Sequence, residues 1–555
     1  VAKVQLAAAP LWPTPPIGRV GSPASVARLA SLLQAAAPSK LGVRPSGAGE
    51  GRVDPDDPRK ARLRWLSLAL PRDPDAPPEH PDKAPARAFL IDVDACGGPD
   101  ALAPLAAAWS SAYVVFEQAQ RDLAFLPPRL RPRRYGCVDT AVLLLDEGKG
   151  AARGLNFAAR VERALGHALD VEGLPRGSGE ERLAIAADVL VPLLAALVPM
   201  LRRRGLVRAY ELELELLPAV LAMERAGVAV DAARFRAVAR TWANERAQTH
   251  DPQRIARLDK LLSTYASWPD QHVDPDGRIR CRLHPMATDS GRFSCTDPNL
   301  QQVPGEHKAP GIRGTFRAPP GRALIVADYA QIELRVAAHL APCDAMRQVF
   351  VAGRDPHRAT AATLTGKPEA EITDHERKLA KAINFGFLFG MGARRFQDYA
   401  AQSYGLSLDA ATAQRAHEAF FATYPGIAAW HRATAQLGER DGPRGSVVRT
   451  ALGRRKRFAP RAFAFTVALN IPVQGTAAEG FKRAMTWLHA RLPPTAAQVL
   501  CVHDELLVEA PLDQADELCA LVRTTMEAAM AAIVTSVPIV VEAHVQPAWG
   551  ASAGE

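Results

Sequence analysis

The chain has 555 residues, 48% hydrophobic and 23% charged, with 68 Lys and Arg against 59 Asp and Glu and a formal net charge of +9. That length and apolar content fit three or four packed domains and exclude a largely disordered chain. The basic excess is compatible with a polyanion-binding groove but is too modest to establish one.

Seven cysteines (Cys96, Cys137, Cys281, Cys295, Cys343, Cys501 and Cys519) are scattered without a CxxC pair. They argue for a reducing compartment and against a disulfide scaffold or zinc module. The opening VAKVQLAAAPLWPTPP lacks a long apolar core, so no secretory leader is expected.

Residues 1–85 are weakly patterned and dense in Pro, Gly and Asp from Pro38 onward. They read as an N-terminal extension or small lobe ending in a flexible connection, with RLRWLSLAL as one strand or a short helix. An α/β pattern opens at Ala88–Ala95, a buried strand with Asp92 and Asp94 near its end. Further strand candidates follow at 111–117 and 137–145. The apolar run at 185–200 contains Asp188 and two prolines, and Arg202, Arg203 and Arg204 follow it. It reads as a buried helix, not a membrane span. Glu211–Gly227 predicts a helix capped by Gly227. Residues 231–285 read as helical, then as a hairpin around RIRCRL. GRALIVADYAQIELRVAAHL begins as a strand through Ala327 and turns helical after Tyr329. VLCVHDELLVEAP is strand, two-residue turn, strand.

The chemistry sits in that last stretch. Asp328 ends one strand and Asp504 lies in the hairpin turn. Two carboxylates on separate rigid strands can bridge divalent ions, with the Tyr329 backbone carbonyl as a further oxygen ligand, and hard oxygen ligands favour Mg²⁺. Between them, Arg377, Lys381, Phe385 and Phe389 recur every four residues in RKLAKAINFGFLF and form a drifting stripe on one helical face. The two cations suit a triphosphate and the two rings a sugar and base. Gly386 and Gly390 would let nucleic acid approach the backbone. Each motif alone has an ordinary reading: a strand-end cap, an acidic turn, an amphipathic helix. Their joint order implies nucleotidyl-transfer chemistry.

DYAQIELR from Asp328, RKLAKAINFGFLFG from Arg377 and VHDE from Val502 resemble, in order and separation, the three polymerase motifs of the A family of DNA polymerases. The resemblance covers about residues 205–555 and extends faintly back to about 88. It implies a multidomain α/β and α+β chain. An RNase H-like, exonuclease-like domain would occupy 86–205, followed by a right-hand polymerase fold. A connecting helix and shortened thumb would span 206–290, the palm 291–345 and 436–555, and the fingers 346–435. Only 58 residues separate Asp231 from Ser290, hence the short thumb and an expected low processivity.

The resemblance also implies roles. Asp328 and Asp504 would hold two Mg²⁺ ions, with Mn²⁺ as a substitute. Glu333 would be a steric gate against a ribose 2′-hydroxyl, with Gln331 beside it in the nucleotide site. Arg377 and Lys381 would bind the triphosphate, Lys381 also protonating the leaving pyrophosphate. His503 and Glu505 would support the primer end. Arg292 and Gln302 (in SGRFSCTDPNLQQVP), Asn470 and Gln474 would contact primer-template DNA, and Arg454 and Arg455 its phosphates. The sequence departs from the family pattern at Ala330 (usually Ser), Phe389 (usually Tyr), Cys501 (usually Gln) and Thr466 (usually Arg).

In the front domain, Asp92 and Asp94 match the first exonuclease acids, although the second is normally Glu. Asp122 matches the second motif and Asp188 the third; Gln118 stands for a customary Asn and Ala184 for a Tyr. The resemblance therefore implies weak or absent 3′–5′ proofreading, or a lobe that only braces the polymerase. Primer-template DNA and dNTPs are the expected partners of a cytoplasmic monomer, in a bacterial nucleoid or phage-infected cell, with a processivity partner compensating for the thumb. The rivals are an actively proofreading polymerase, a single-subunit RNA polymerase and a non-catalytic nucleic-acid-binding relative.

Overall fold

In the computed structural model, residues 17–48, 57–70, 87–147, 159, 181–442 and 444–550 are described. The chain divides into two units, Val1–Leu217 and Pro218–Glu555.

The N-terminal unit is built on one six-stranded sheet. Its elements are β1 (Ile17–Val20), α1 (Pro23–Ala36), β2 (Lys40–Ala48), β3 (Arg62–Ala69), β4 (Ala88–Asp92), β5 (Tyr113–Phe116), α2 (Ala119–Phe125), β6 (Tyr135–Cys137) and α3 (Glu181–Arg204). The strand order is β1-β4-β3-β2-β5-β6. β2, β3 and β4 pair antiparallel, whereas β2, β5 and β6 run parallel, as do β1 and β4. The strands within 17–69, expected as a separate lobe, are therefore built into the same sheet as Ala88–Asp92. Residues 137–145, expected as a strand, hold only the end of β6 and then a helix from Val138 to Leu145. A short apolar run fits either state; here Cys137 Sγ accepts the Thr140 N–H and caps a helix.

α3 crosses this sheet and buries Ile185, Leu190, Leu194, Leu197 and Leu201. The approach is close enough that the Ala187 carbonyl oxygen lies 1.9 Å from where a Cβ on Gly42 would sit, so only glycine fits there. α3 contains the one stretch among the described residues long and apolar enough to cross a membrane, Leu183–Arg204. Its packing on the sheet accounts for that composition.

A helix, α4 (Val207–Ala226), spans the division between the units. The C-terminal unit continues with β7 (Val228–Ala229), α5 (Ala232–Gln248), α6 (Pro252–Tyr265), β8 (Arg278–Ile279), β9 (Arg282–His284) and β10 (Ser294–Thr296). Then come β11 (Arg322–Tyr329), α7 (Ile332–Leu340), α8 (Pro356–Thr365), α9 (Asp374–Leu388), α10 (Ala393–Tyr404), α11 (Ala410–Thr423) and α12 (Pro425–Asp441). The last elements are β12 (Val447–Arg449), β13 (Arg455–Arg457), α13 (Phe465–Arg491), β14 (Ala497–Val502), β15 (Glu505–Pro511), α14 (Ala515–Ala531) and β16 (Val541–Gln546).

Four of these strands form an antiparallel sheet, β14-β15-β11-β16. β11 is central, and its apolar run Ala323, Leu324, Ile325 and Ala327 is buried. α13 and α14 pack together, and Tyr329 on β11 donates its hydroxyl to the Met526 carbonyl of α14 (2.7 Å). Helices α8 to α11 form a separate helical layer. α9 begins at a capping box in which Thr373 and Glu376 satisfy each other's backbone N–H groups.

Candidate active site

The sheet register places the acids. Asp328, the penultimate residue of β11, lies opposite Glu505 on β15 and opposite Glu542 on β16. Asp504 precedes Glu505 in a two-residue turn, His503–Asp504, closed by the Val502–Glu505 pair. The expected strand–turn–strand hairpin and the strand ending at an acid are both present, and they put the two aspartates side by side. Desolvation in the cleft, followed by the charges of Asp504 and Glu505, pushes Asp328 up to about 8. Desolvation also raises Asp504 and Glu505. Asp328 nevertheless opens to solvent on one side. Neither Asp328 nor Asp504 has an ion-pair partner among the described residues.

The turn is held from behind. His503 adopts a left-handed backbone conformation, φ 57°. Its N–H donates to Gln301 Oε1 (3.1 Å), while Gln301 Nε2 donates to the Cys501 carbonyl (2.6 Å). Gln301 is buried, whereas its neighbour Gln302, expected on the DNA, is exposed and uses its carbonyl to accept from Tyr265. Sequence reading missed Gln301; it is two hundred positions from its partner and carries no local signal. Cys501, where the family pattern has Gln, is fully buried. Glu505 accepts from Trp549 Nε1 (3.0 Å) and Arg313 Nη1 (3.3 Å), and Arg313 stacks on Trp549 at 4.1 Å.

Across the turn that follows β11, Gln331 takes a left-handed conformation and Glu333 enters the first turn of α7. Glu333 accepts from Arg292 Nη2 at 2.6 Å, so two expected site residues pair directly. Desolvation and the Arg292 charge lower His503.

α9 carries the cationic stripe. Arg377 donates to Asp355, the N-cap of α8, at 2.7 Å; Lys381 is exposed, with no ion-pair partner among the described residues. Phe385 is half-buried, and its ring lies 6.0 Å from that of His357. His357, which sequence reading also missed, is buried and hydrogen-bonded to Asn384. Desolvation and the Arg377 and Lys381 charges lower it to about 4. Phe389 caps the end of α9. The space at Gly386 and Gly390, expected for nucleic acid, is taken by protein: a Cβ at Gly386 would meet Phe396, and one at Gly390 would meet Phe465 and Leu469.

The remaining expected DNA contacts are mixed. Asn470 donates to the Thr466 carbonyl one turn back on α13, and Gln474 is half-buried one turn onward. Arg454 is buried beside Gly291, and its charge acts on the buried Glu479, which accepts from Thr450 and Leu452. It is an interior residue, contrary to the expected phosphate contact. Arg455 opens β13 and is half-buried.

The four carboxylates expected as a second metal site do not converge. Asp92 ends β4 and pairs with Arg64 (2.9 Å); Asp94 pairs with Arg62 and Arg64. Asp122 lies on α2, after β5, and accepts two bonds from Arg121 (2.7 and 2.9 Å). β4 is three strands from β5, about 14 Å at usual strand spacing. Asp188, on α3, pairs with Arg87 (3.3 Å) at the opposite end of β4 from Asp92. Between β3 and β5 runs β2, which presents Arg44, paired with Glu117. Among the described residues no cluster of three or more His, Cys, Asp or Glu is placed to hold a metal.

The C-terminal unit thus has a palm-like sheet with two acids at its edge, a helical layer carrying a cationic stripe and a short helical pair, α5 and α6. This is the polymerase fold of palm, fingers and thumb-like helices, with a mixed α/β domain before it. The model of DNA polymerase family A matches residues 225–551, and the chain belongs to that family. It is 40% identical over 304 residues to DNA polymerase I of Deinococcus radiodurans and 38% identical over 304 residues to the thermostable DNA polymerase I of Thermus aquaticus. Each alignment covers 53% of this chain, but only 30% and 35% of those relatives. The solved POL domain of Pol1 from M. smegmatis, in complex with DNA primer-template and dNTP, superposes with a TM-score of 0.77. It covers 97% of this chain and 100% of that one at 24% identity, a likeness of fold.

Proposed function

We propose that the chain is a DNA-directed DNA polymerase that adds dNTPs to a primer 3′-hydroxyl with two Mg²⁺ ions. The observation that carries this reading is the pair Asp328 and Asp504. Asp328 lies at the end of β11 and Asp504 stands in the turn that leads into the adjacent β15, their affinity for protons is raised, and neither has an ion-pair partner among the described residues. A juxtaposed, solvent-reached pair of carboxylates is a hard-oxygen donor set that suits divalent cations. Such ions, when bound, would activate the primer hydroxyl and neutralise the triphosphate.

The chain's own groups supply the rest. Lys381 is free to meet the β- and γ-phosphates, and Arg377 joins it from its Asp355 tether. Glu333, held by Arg292, fills the space a 2′-hydroxyl would need. Gln301 fixes the turn that aims Asp504. Phe389 offers a ring to the base, without the hydroxyl usual there. Gln474 and Asn470 face template-primer from α13.

The N-terminal unit is read as an exonuclease-like domain that does not proofread. The run β4-β3-β2-β5-β6, with β2 central, antiparallel to β3 and parallel to β5, supports an RNase H-like reading. Asp92 ends β4 and Asp94 follows it, two strands from β2, and β2 itself presents Arg44 and Ser46 in place of acids. Guanidinium groups cover Glu117, Asp122 and Asp188. The reading places the protein in the cytoplasm as a monomer.

Asp504→Asn should abolish primer extension on a primed DNA template while leaving primer-template affinity within about threefold. Extension at the wild-type rate would sink the reading. In the same assay, rNTP incorporation as efficient as dNTP incorporation would favour an RNA polymerase.

A further inference from the structure

A second polar site lies on the far side of Arg313 from the catalytic turn. It is a cavity of about 220 Å³ lined by Arg234, Glu306, Gly311, Gly314, Arg317 and Gly550, with Pro547 and Ala548 closing it. Arg234 comes from the first turn of α5, and its guanidinium lies 3.5 Å from where a Cβ on Gly314 would sit. Arg317 bridges to Ala548 through its backbone. Neither arginine side chain has an ion-pair or hydrogen-bond partner among the described residues.

Glu306 makes the site selective. Its Oε2 accepts the Gly311 N–H at 2.6 Å, while Oε1 is buried without a hydrogen-bond partner. A buried carboxylate oxygen calls for a donor, and two guanidinium groups call for an oxyanion. One class of ligand meets both demands: an inorganic oxyanion that keeps a proton at neutral pH. Monohydrogen phosphate presents three oxygens to the guanidinium groups and one P–O–H to Glu306. Hydrogen pyrophosphate does the same. Sulfate has no proton to give and would set an anionic oxygen against Oε1. A DNA phosphodiester fails for the same reason. We propose that this cavity is a binding site for inorganic phosphate or pyrophosphate, with Arg234 and Arg317 as the anion ligands and Glu306 as the proton-sensing acceptor.

The test is calorimetric titration of the full chain at pH 7 and constant ionic strength, with sodium phosphate, pyrophosphate and sulfate in separate runs. Saturable binding of phosphate or pyrophosphate is expected, with sulfate weaker by about tenfold or more, because a site built around a hydrogen bond rejects the analogue that cannot make it. The tighter of phosphate and pyrophosphate identifies the ligand. Arg234→Gln and Arg317→Ala should each weaken binding about tenfold, and Glu306→Gln should bring phosphate and sulfate to similar affinity. Arg234 is on an exposed helical position, so Arg234→Gln decides the matter if Arg317→Ala does not fold. Absence of saturable binding by both phosphate and pyrophosphate overturns the proposal. So does sulfate binding as tightly as phosphate in the unsubstituted chain, or unchanged binding in Arg234→Gln.

Discussion

Asp328→Asn should make the metal-free protein more stable while removing its activity. Asp328 is raised from 3.8 to about 8 by desolvation and by the Asp504 and Glu505 charges. A folded-state value above the unfolded one means that the native state favours the protonated acid. That contribution is complete below about pH 4 and is lost as pH rises through about 8. Taken at face value the shift corresponds to about 6 kcal/mol of native-state penalty at high pH. The side chain reaches solvent, so screening reduces this to about 1–2 kcal/mol. Asparagine carries no charge and escapes the penalty. In EDTA at pH 8 the thermal midpoint of Asp328→Asn should exceed that of the parent by about 2–6 °C, and the difference should shrink toward about pH 4, where Asp328 is protonated in the native state. Adding Mg²⁺ should raise the midpoint of the parent more than that of the variant, because ligand binding stabilises only the protein with both carboxylates. Scanning calorimetry in EDTA and Mg²⁺ across this pH range supplies the measurement. A lower midpoint for the variant in EDTA at pH 8, or a difference that does not vary with pH, would refute the reasoning.

Gln301→Leu removes both hydrogen bonds behind the catalytic turn and leaves the His503 N–H and Cys501 carbonyl buried; it should cost about 2–4 kcal/mol in urea unfolding and raise the Mg²⁺ concentration for half-maximal extension. A loss of stability with unchanged metal dependence would confine Gln301 to the fold. Lys381→Ala should lower incorporation at saturating dNTP by about 10²-fold or more with little change in DNA affinity; equal loss in a DNA-binding assay would place Lys381 on the duplex. Arg44→Ala should leave Glu117 buried without its main counter-charge, destabilising the protein by about 3–5 kcal/mol in urea unfolding and creating no 3′–5′ digestion of a mismatched primer. Metal-dependent digestion by the parent chain would overturn the proposed loss of proofreading.

The polymerase half was legible because its signals are local. β11 announces itself by an apolar run that ends in an acid, the β14–β15 hairpin by two such runs around two polar residues, and α9 by a cap at Thr373 and a four-residue stripe. In the N-terminal unit the strands at Ala88–Asp92 and Tyr113–Phe116 and the buried helix Glu181–Arg204 were legible, but the sheet that joins them was not, because it is assembled by strand order. β2 lies in the middle of the sheet but carries Arg44, Pro45, Ser46 and Gly47, a composition that reads as a loop. Asp92 and Asp94 looked like a metal pair because an acidic pair at a strand end is the local form of one. Only the pairing of β4 with β3 and β1 shows that the strand lies away from β5. Arg454 failed for a related reason: four consecutive basic residues suggest a solvated patch, yet the Thr450–Glu479 contact draws the first of them into the interior.

The two units treat the same side chain in opposite ways, and the difference is one of counter-charge. Asp122 and Asp188 are buried, and each has an arginine within hydrogen-bonding reach. Arginine stays charged at any physiological pH, so these acids are neutralised permanently by the chain itself. A divalent ion entering there would have to displace guanidinium groups fixed by the fold. Desolvation raises the proton affinity of Asp328 and Asp504, with the Asp504 and Glu505 charges adding to it at Asp328, and the Arg292 and His503 charges offset only part of it at Asp504. Such a site is strained until a cation arrives from solvent. Asp328 and Asp504 have no such ion pair among the described residues, and the C-terminal unit therefore carries an electrostatic cost at neutral pH that either protonation or a bound cation would relieve.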